Sequence, residues 1–178
     1  MSNIDTSALM WELLLDSDIS SRYHSSRASF LSTIEKVLLI FLIIVSILAL
    51  AGWADKLFSM LALLFSSILL ICNSQKKALY HYLLKNRYYD LKSQIEIADG
   101  NKYVTYDEYL ELKRKFDSIH IEDEERYSIV EAVCHNQVIN TRKCDISYLI
   151  KVSSFQSYLM HFWPFYRFFY NQDSKISE

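Results

Sequence analysis

Two uncharged apolar runs, separated only by Asp55 and Lys56, constrain this chain more than any other feature. Residues 37–54 (VLLIFLIIVSILALAGWA) are 18 consecutive positions without a charge, and residues 57–75 (LFSMLALLFSSILLICNSQ) are 19. At about 1.5 Å rise per residue the first run is roughly 27 Å long as a helix, close to a hydrocarbon core of about 30 Å. The pair predicts a transmembrane helical hairpin, with a buried soluble hairpin as the alternative. Ala49-Leu50-Ala51 resembles a signal-peptidase site, but 36 mixed residues precede the run where a leader would carry a short basic segment. The first run is therefore expected to be retained.

The flanking charges predict orientation. Arg22, Arg27 and Lys36 precede the first run, and Lys76, Lys77, Lys85, Arg87 and Lys92 follow the second. The short turn carries only Lys56, offset by Asp55. Cationic residues near membrane ends stay on the cytoplasmic side, so both termini are expected there. Lys36, Lys76, Lys77, Lys85 and Arg87 form the juxtamembrane basic set, and Trp53 sits where an aromatic boundary anchor belongs.

Neither run is uniformly apolar. Ser59, Ala62, Ser66 and Asn73 share one face of the second helix, and Ser46, Ala49 and Gly52 form a small-residue edge on the first. Lipid gives helices no hydrophobic reason to associate, so small and weakly polar faces mark packing surfaces. These residues are expected either to pack within the hairpin or to line a subunit interface or pore. No Asp, Glu, Lys, Arg or His lies inside either run, which removes the usual marks of a proton relay or coupled transporter.

The rest of the chain reads as helical. Gly (2) and Pro (1) are too scarce for a β-rich or loop-rich fold. We expect an all-α membrane protein: an amphipathic lead over residues 1–36, the hairpin over 37–75, a cytoplasmic helical domain over 76–150 and an aromatic segment over 151–178. In the lead, Trp11, Leu14 and Leu15 give an apolar side, with a break expected near residues 16–21. The second span is expected to continue unbroken to about Asp99, with Tyr80, Leu84, Tyr88, Leu91, Ile95 and Ala98 at helical spacing and Asp99-Gly100-Asn101 as a stop. Thr105 and Glu108 form a capping-box pattern ahead of Tyr109, Leu112, Phe116 and Ile119. Another helix is expected from about Glu122, its acidic start (Glu122, Asp123, Glu124, Glu125) suiting a positive helix N-terminus, with Tyr127, Val130, Cys134 and Val138 as its stripe. In residues 155–170 (FQSYLMHFWPFYRFFY), nine of 16 are aromatic. Phe155, Leu159, Phe162, Tyr166 and Phe169 would share a face, with Trp163 and Phe165 beside them. This segment is expected at the membrane interface, as a plug under the hairpin, or in the bundle core.

Motifs for chemistry are missing. There is no glycine-rich phosphate loop, no G-x-S-x-G, no C-x-x-C and no H-E-x-x-H. Cys72, Cys134 and Cys144 have no paired spacing, and Cys134-His135 beside Cys144 matches no standard zinc pattern. His24, His81, His120, His135 and His161 are scattered. A net charge of −2 gives no case for nucleic-acid binding. No catalytic residue, cofactor or metal is expected, and the chain is not expected to be an enzyme.

Taken together, a helical lead with an arginine-containing stretch (SSRYHSSRASF), a tight two-span hairpin, a long juxtamembrane helix (KKALYHYLLKNRYYDLKSQI) and a second helical block (EYLELKRKF to ERYSIVEAVCHNQVIN) resemble the SLATT family over roughly residues 7–145. These are two-transmembrane effectors of prokaryotic conflict systems. The resemblance implies an anti-phage effector in the inner membrane that assembles or opens when a partner senses infection, permeabilising the membrane and arresting the host. The implied partners are a homo-oligomeric assembly, the lipid bilayer, and a sensor or inhibitor from the same operon. That sensor is a cyclic-oligonucleotide synthase, or a reverse transcriptase with its noncoding RNA as in retrons. A non-pore membrane anchor recruiting a soluble partner is the alternative.

Overall fold

Among the described residues the chain forms six α-helices. The structure, a computed structural model, describes residues 6–51, 55–100, 104–123 and 126–161. Helix α1 spans Thr6–Leu50, α2 Asp55–Cys72, α3 Ser74–Gly100, α4 Tyr106–Glu122, α5 Ser128–Thr141 and α6 Ser154–Leu159, with a 3-10 turn at Ile146–Tyr148. There is no strand among the described residues. The chain divides into two units, one of Met1–Tyr23 with Leu84–Glu178, the other His24–Leu83.

In the first unit, apolar residues at helical spacing supply the core. Leu84, Tyr88, Leu91 and Ile95 of α3 are buried, as are Leu112, Phe116 and Ile119 of α4 and Met10, Leu13 and Leu14 of α1. Ile19 and Tyr23 of α1 pack with Val130, Cys134 and Val138 of α5, and Leu15, Tyr127 and Met160 close over them. On α3, α4 and α5 these are the stripes expected from periodicity; on α1 the buried side runs through Met10, Leu13 and Leu14, and Trp11, expected on it, is exposed. The Thr105–Glu108 capping box forms: the Glu108 amide donates to Thr105 Oγ1 at 3.3 Å, and the Thr105 amide donates to the Glu108 carboxylate at 2.9 Å.

In the second unit, α1 and α2 carry the apolar runs. Phe41 stacks on Phe65 with ring centroids 6.0 Å apart. Ser46, Ser66 and Ser67 donate to the carbonyls one turn back (Leu42, Ala62 and Leu63) at 2.7–2.8 Å. Each hydroxyl is thus satisfied inside its own helix and needs no water.

The helix boundaries depart from expectation at three places. Helix α1 does not break at residues 16–21. The Ser17 hydroxyl donates to the Leu13 carbonyl at 2.8 Å, and Asp18 is held by cations from other helices, so neither side chain competes with the helical backbone. The second apolar helix does not run straight into the next. Asn73 has φ +44°, a left-handed conformation that asparagine tolerates better than most residues. Its carbonyl then accepts the Lys77 amide at 3.2 Å as α3 restarts. Helix α5 begins at Ser128, not near Glu122. Glu122 is the last residue of α4 and pairs with Arg87, while Asp123 pairs with Arg126. Glu122 and Asp123 therefore close one helix instead of opening the next. Glu124 and Glu125 lie outside the described residues.

Candidate functional site

Two features stand out: an apolar belt on the second unit and a charged junction in the first. On α1 and α2, large apolar side chains point outward, Ile47 at 59% exposure, Met60 at 70% and Leu70 at 83%. Both helical stretches, α1 and residues 56–100, are long and apolar enough to cross a membrane, and only 6% of the most apolar window in each is buried. A core helix of a soluble protein would have that surface covered. Soluble monomers rarely expose contiguous apolar patches beyond a few hundred Å².

The small-residue positions distribute around this belt. Ser46, Ala49 and Ala62 are half-buried, while Ser59 and Ser66 are exposed. Asn73 is exposed at the α2–α3 break and so does not continue the α2 face. Gly52 and Trp53 lie outside the described residues. Lys36, Lys76 and Lys77 are exposed at the ends of the apolar stretches, Lys85 is half-buried, and Arg87 is exposed against Glu122 of α4. Trp11 is exposed, with the Arg142 guanidinium 5.6 Å from its ring centroid. In the aromatic segment, Phe155 and Tyr158 of α6 are exposed, and Met160 packs on the core. Phe162, Trp163, Phe165, Tyr166 and Phe169 lie outside the described residues.

Sequence reasoning missed the charged junction, because its members are far apart in the chain. Arg126 donates to Asp123 at 2.7 Å, Glu131 at 3.2 Å, Ser20 at 3.1 Å and the Tyr88 hydroxyl at 3.2 Å. Its guanidinium also lies over Tyr23 at 5.4 Å and Tyr88 at 5.8 Å. One cation thereby joins α1, α3 and α5. Burial works against its charge, but the Asp123 carboxylate and the Tyr88 hydroxyl raise its pKa above the ordinary arginine value. Burial pushes Tyr88 itself up to about 12. The Tyr23 hydroxyl accepts the Tyr127 amide at 3.0 Å, capping α5 where no side chain of its own does so.

Asp18 is the second hub. It accepts from Arg22 at 3.3 Å, Lys92 at 3.1 Å and Arg142 at 3.0 Å. Burial alone would raise its pKa; the hydrogen bonds from Lys92 and Arg142 and the charges of Lys92 and Arg22 instead hold it below the usual carboxylate value. Beside Arg126 opens a cavity of about 690 Å³, lined among others by Ser20, Phe116, His120, Glu131 and His135.

Cys134 and His135 do not act together. Cys134 lies in the core, where burial raises its thiol to about 12, and His135 Nε2 donates to the Tyr148 carbonyl at 3.0 Å. Cys144 is half-buried beyond the end of α5. Conversely, two histidines that look scattered meet: His24 of α1 and His81 of α3 bring their Nδ1 atoms to 2.9 Å. Among the described residues no group of three or more His, Cys, Asp or Glu is arranged to hold a metal ion. No family model, curated protein or solved structure matches this chain.

Proposed function

We propose that this chain is a membrane-embedded effector of a bacterial anti-phage defence system, as the SLATT resemblance implies. In this reading α1 and α2 form a two-span hairpin in the inner membrane, and both termini and the helical bundle are cytoplasmic. A sensor partner from the same operon triggers oligomerisation or opening, and the permeabilised membrane ends the infection with the host.

The observation that carries the reading is the exposed apolar belt, which calls for lipid or further copies of the chain. The hairpin has its own support. The contacts His24–His81 and Phe41–Phe65 are both centred in sequence on the same point, the symmetry expected of two antiparallel helices. The outward-facing Ser59 and Ser66 of α2 suit contact between copies, since small residues let helices approach closely in lipid.

A membrane-potential dye in cells expressing the chain without its partner tests this. We expect depolarisation within minutes of induction. Ser66→Leu or Ala62→Leu should suppress it, whereas Leu64→Phe on the opposite, exposed side of α2 should not. An undisturbed potential under every triggering condition would reject the effector reading and favour an anchor that recruits a soluble partner.

A further inference from the structure

The His24–His81 pair has a geometry that limits how many protons it can hold. Both rings are buried, with Nδ1 atoms 2.9 Å apart, ring centroids 5.2 Å apart and planes inclined by 32°. A neutral imidazole has one N–H and one bare nitrogen, so at that distance one Nδ1 donates and the other accepts. A single added proton leaves this arrangement intact, since an imidazolium Nδ1–H still faces a bare Nδ1, in a stronger, charge-assisted bond. A second proton leaves two N–H groups and two positive charges facing each other, and the bond is lost. The pair therefore titrates as a unit, in two steps.

Basic residues flank both rings. On α1, Arg27 lies one turn from His24, its guanidinium 5.9 Å from the Phe30 ring centroid. On α3, the Tyr80 ring meets His81 edge-on at 5.6 Å, and Lys77 and Lys85 lie one turn to either side. Along α1 the carboxylates nearest His24 are Asp18, six positions before it, and Glu35, 11 after it; along α3 the nearest to His81 is Asp90, nine positions beyond. His81 itself lies six residues beyond the second apolar run, or about 9 Å along α3.

We infer that His24 and His81 form a protonation-sensitive clasp between α1 and α3, closed with no added proton or one and opened by the second. Acidification then loosens the two helices where they leave the apolar stretch. The clasp rests on the apposition of α1 and α3 and not on lesion formation, so its failure and that of the proposed function are separate results.

Hydrogen exchange on the full chain in detergent micelles reads the clasp directly. After correction for the intrinsic pH dependence of exchange, peptides covering residues 20–30 and 76–86 should exchange at least about tenfold faster at pH 5 than at pH 7.5. In His24→Asn the site can no longer hold two facing cations, and that acceleration should vanish. Histidine nitrogen NMR on the unmodified chain gives an independent readout should the variant fail to fold. A proton shared between the two Nδ1 atoms should be present at pH 7.5 and lost at pH 5. Equal exchange at both pH values, the same acceleration in His24→Asn, or a shared proton persisting at pH 5 would overturn the inference.

Discussion

Arg142, at the end of α5, donates through Nε at 3.1 Å and Nη2 at 3.0 Å to one carboxylate oxygen of Asp18, 124 positions earlier in α1. Lys92 of α3 reaches the same oxygen at 3.1 Å, so three helices converge on a single buried carboxylate. Removing that charge leaves Arg22, Lys92 and Arg142 without their common partner. Asp18→Asn should destabilise the first unit by about 2–3 kcal/mol, below the cost of breaking a fully buried pair because the cations remain partly solvated. The pKa of Asp18 is depressed in the fold, so this stabilisation is complete at neutral pH. It is lost as pH falls below about 4, the ordinary aspartate value, towards the lower folded-state pKa. Denaturant titration at pH 7 and pH 3 should show the variant penalty shrinking at the lower pH.

The two described cysteines should differ in reactivity. Cys134 is buried with its thiol raised to about 12, so almost none is thiolate at pH 8. Cys144 is half-buried. Maleimide labelling followed by peptide mass spectrometry should modify Cys144 at least about tenfold faster than Cys134, and the difference should disappear in denaturant.

Lys143 is a stabilising substitution in waiting. It has φ +55° just past the end of α5, where the Cys144 amide donates to the Ile139 carbonyl at 3.0 Å and the Lys143 amide to the Asn140 carbonyl at 3.3 Å. That pattern favours glycine, because a Cβ is strained in the left-handed region. Lys143→Gly should raise stability by about 0.5–1 kcal/mol, read as a higher denaturant midpoint with an unchanged slope.

Much of the bundle was legible because its stripes are local: Leu84 to Ile95, Leu112 to Ile119 and Val130 to Val138 repeat within single helices, as does the Thr105–Glu108 box. The elements misread were those decided by distant partners. Nothing near Asp18 reveals that Lys92 and Arg142 will neutralise it and keep α1 continuous. The acidic run at Glu122 has the composition of a helix start, but Arg87 and Arg126 recruit Glu122 and Asp123 to a helix end. The histidine pair was hidden because centring the turn on Asp55 and Lys56 places His24 opposite Arg87. The observed contacts, His24 with His81 and Phe41 with Phe65, are symmetric about a point roughly three residues earlier in the sequence.

The aromatic segment makes a prediction of its own. Phe155 at 69% and Tyr158 at 82% exposure leave large apolar faces open, while Met160 anchors α6 to the core. At roughly 25 cal/mol per Å², such surface favours burial against lipid or a partner. Deleting residues 155–178 should leave the apolar helices inserted but abolish regulated activity, scored as constitutive toxicity or as silence in a growth assay with and without phage. A truncated chain that protects cells like the intact one would reduce the segment to a packed terminus.

The proposed function requires α1 and α2 to cross a bilayer as a hairpin, and dual topology reporters measure this directly. Fusions at the N-terminus and after Glu178 should both report the cytoplasm, and a tag inserted at Asp55 should be labelled by an impermeant reagent from outside intact spheroplasts. A C-terminus reporting the periplasm, or a tag at Asp55 protected until the membrane is broken, would contradict it.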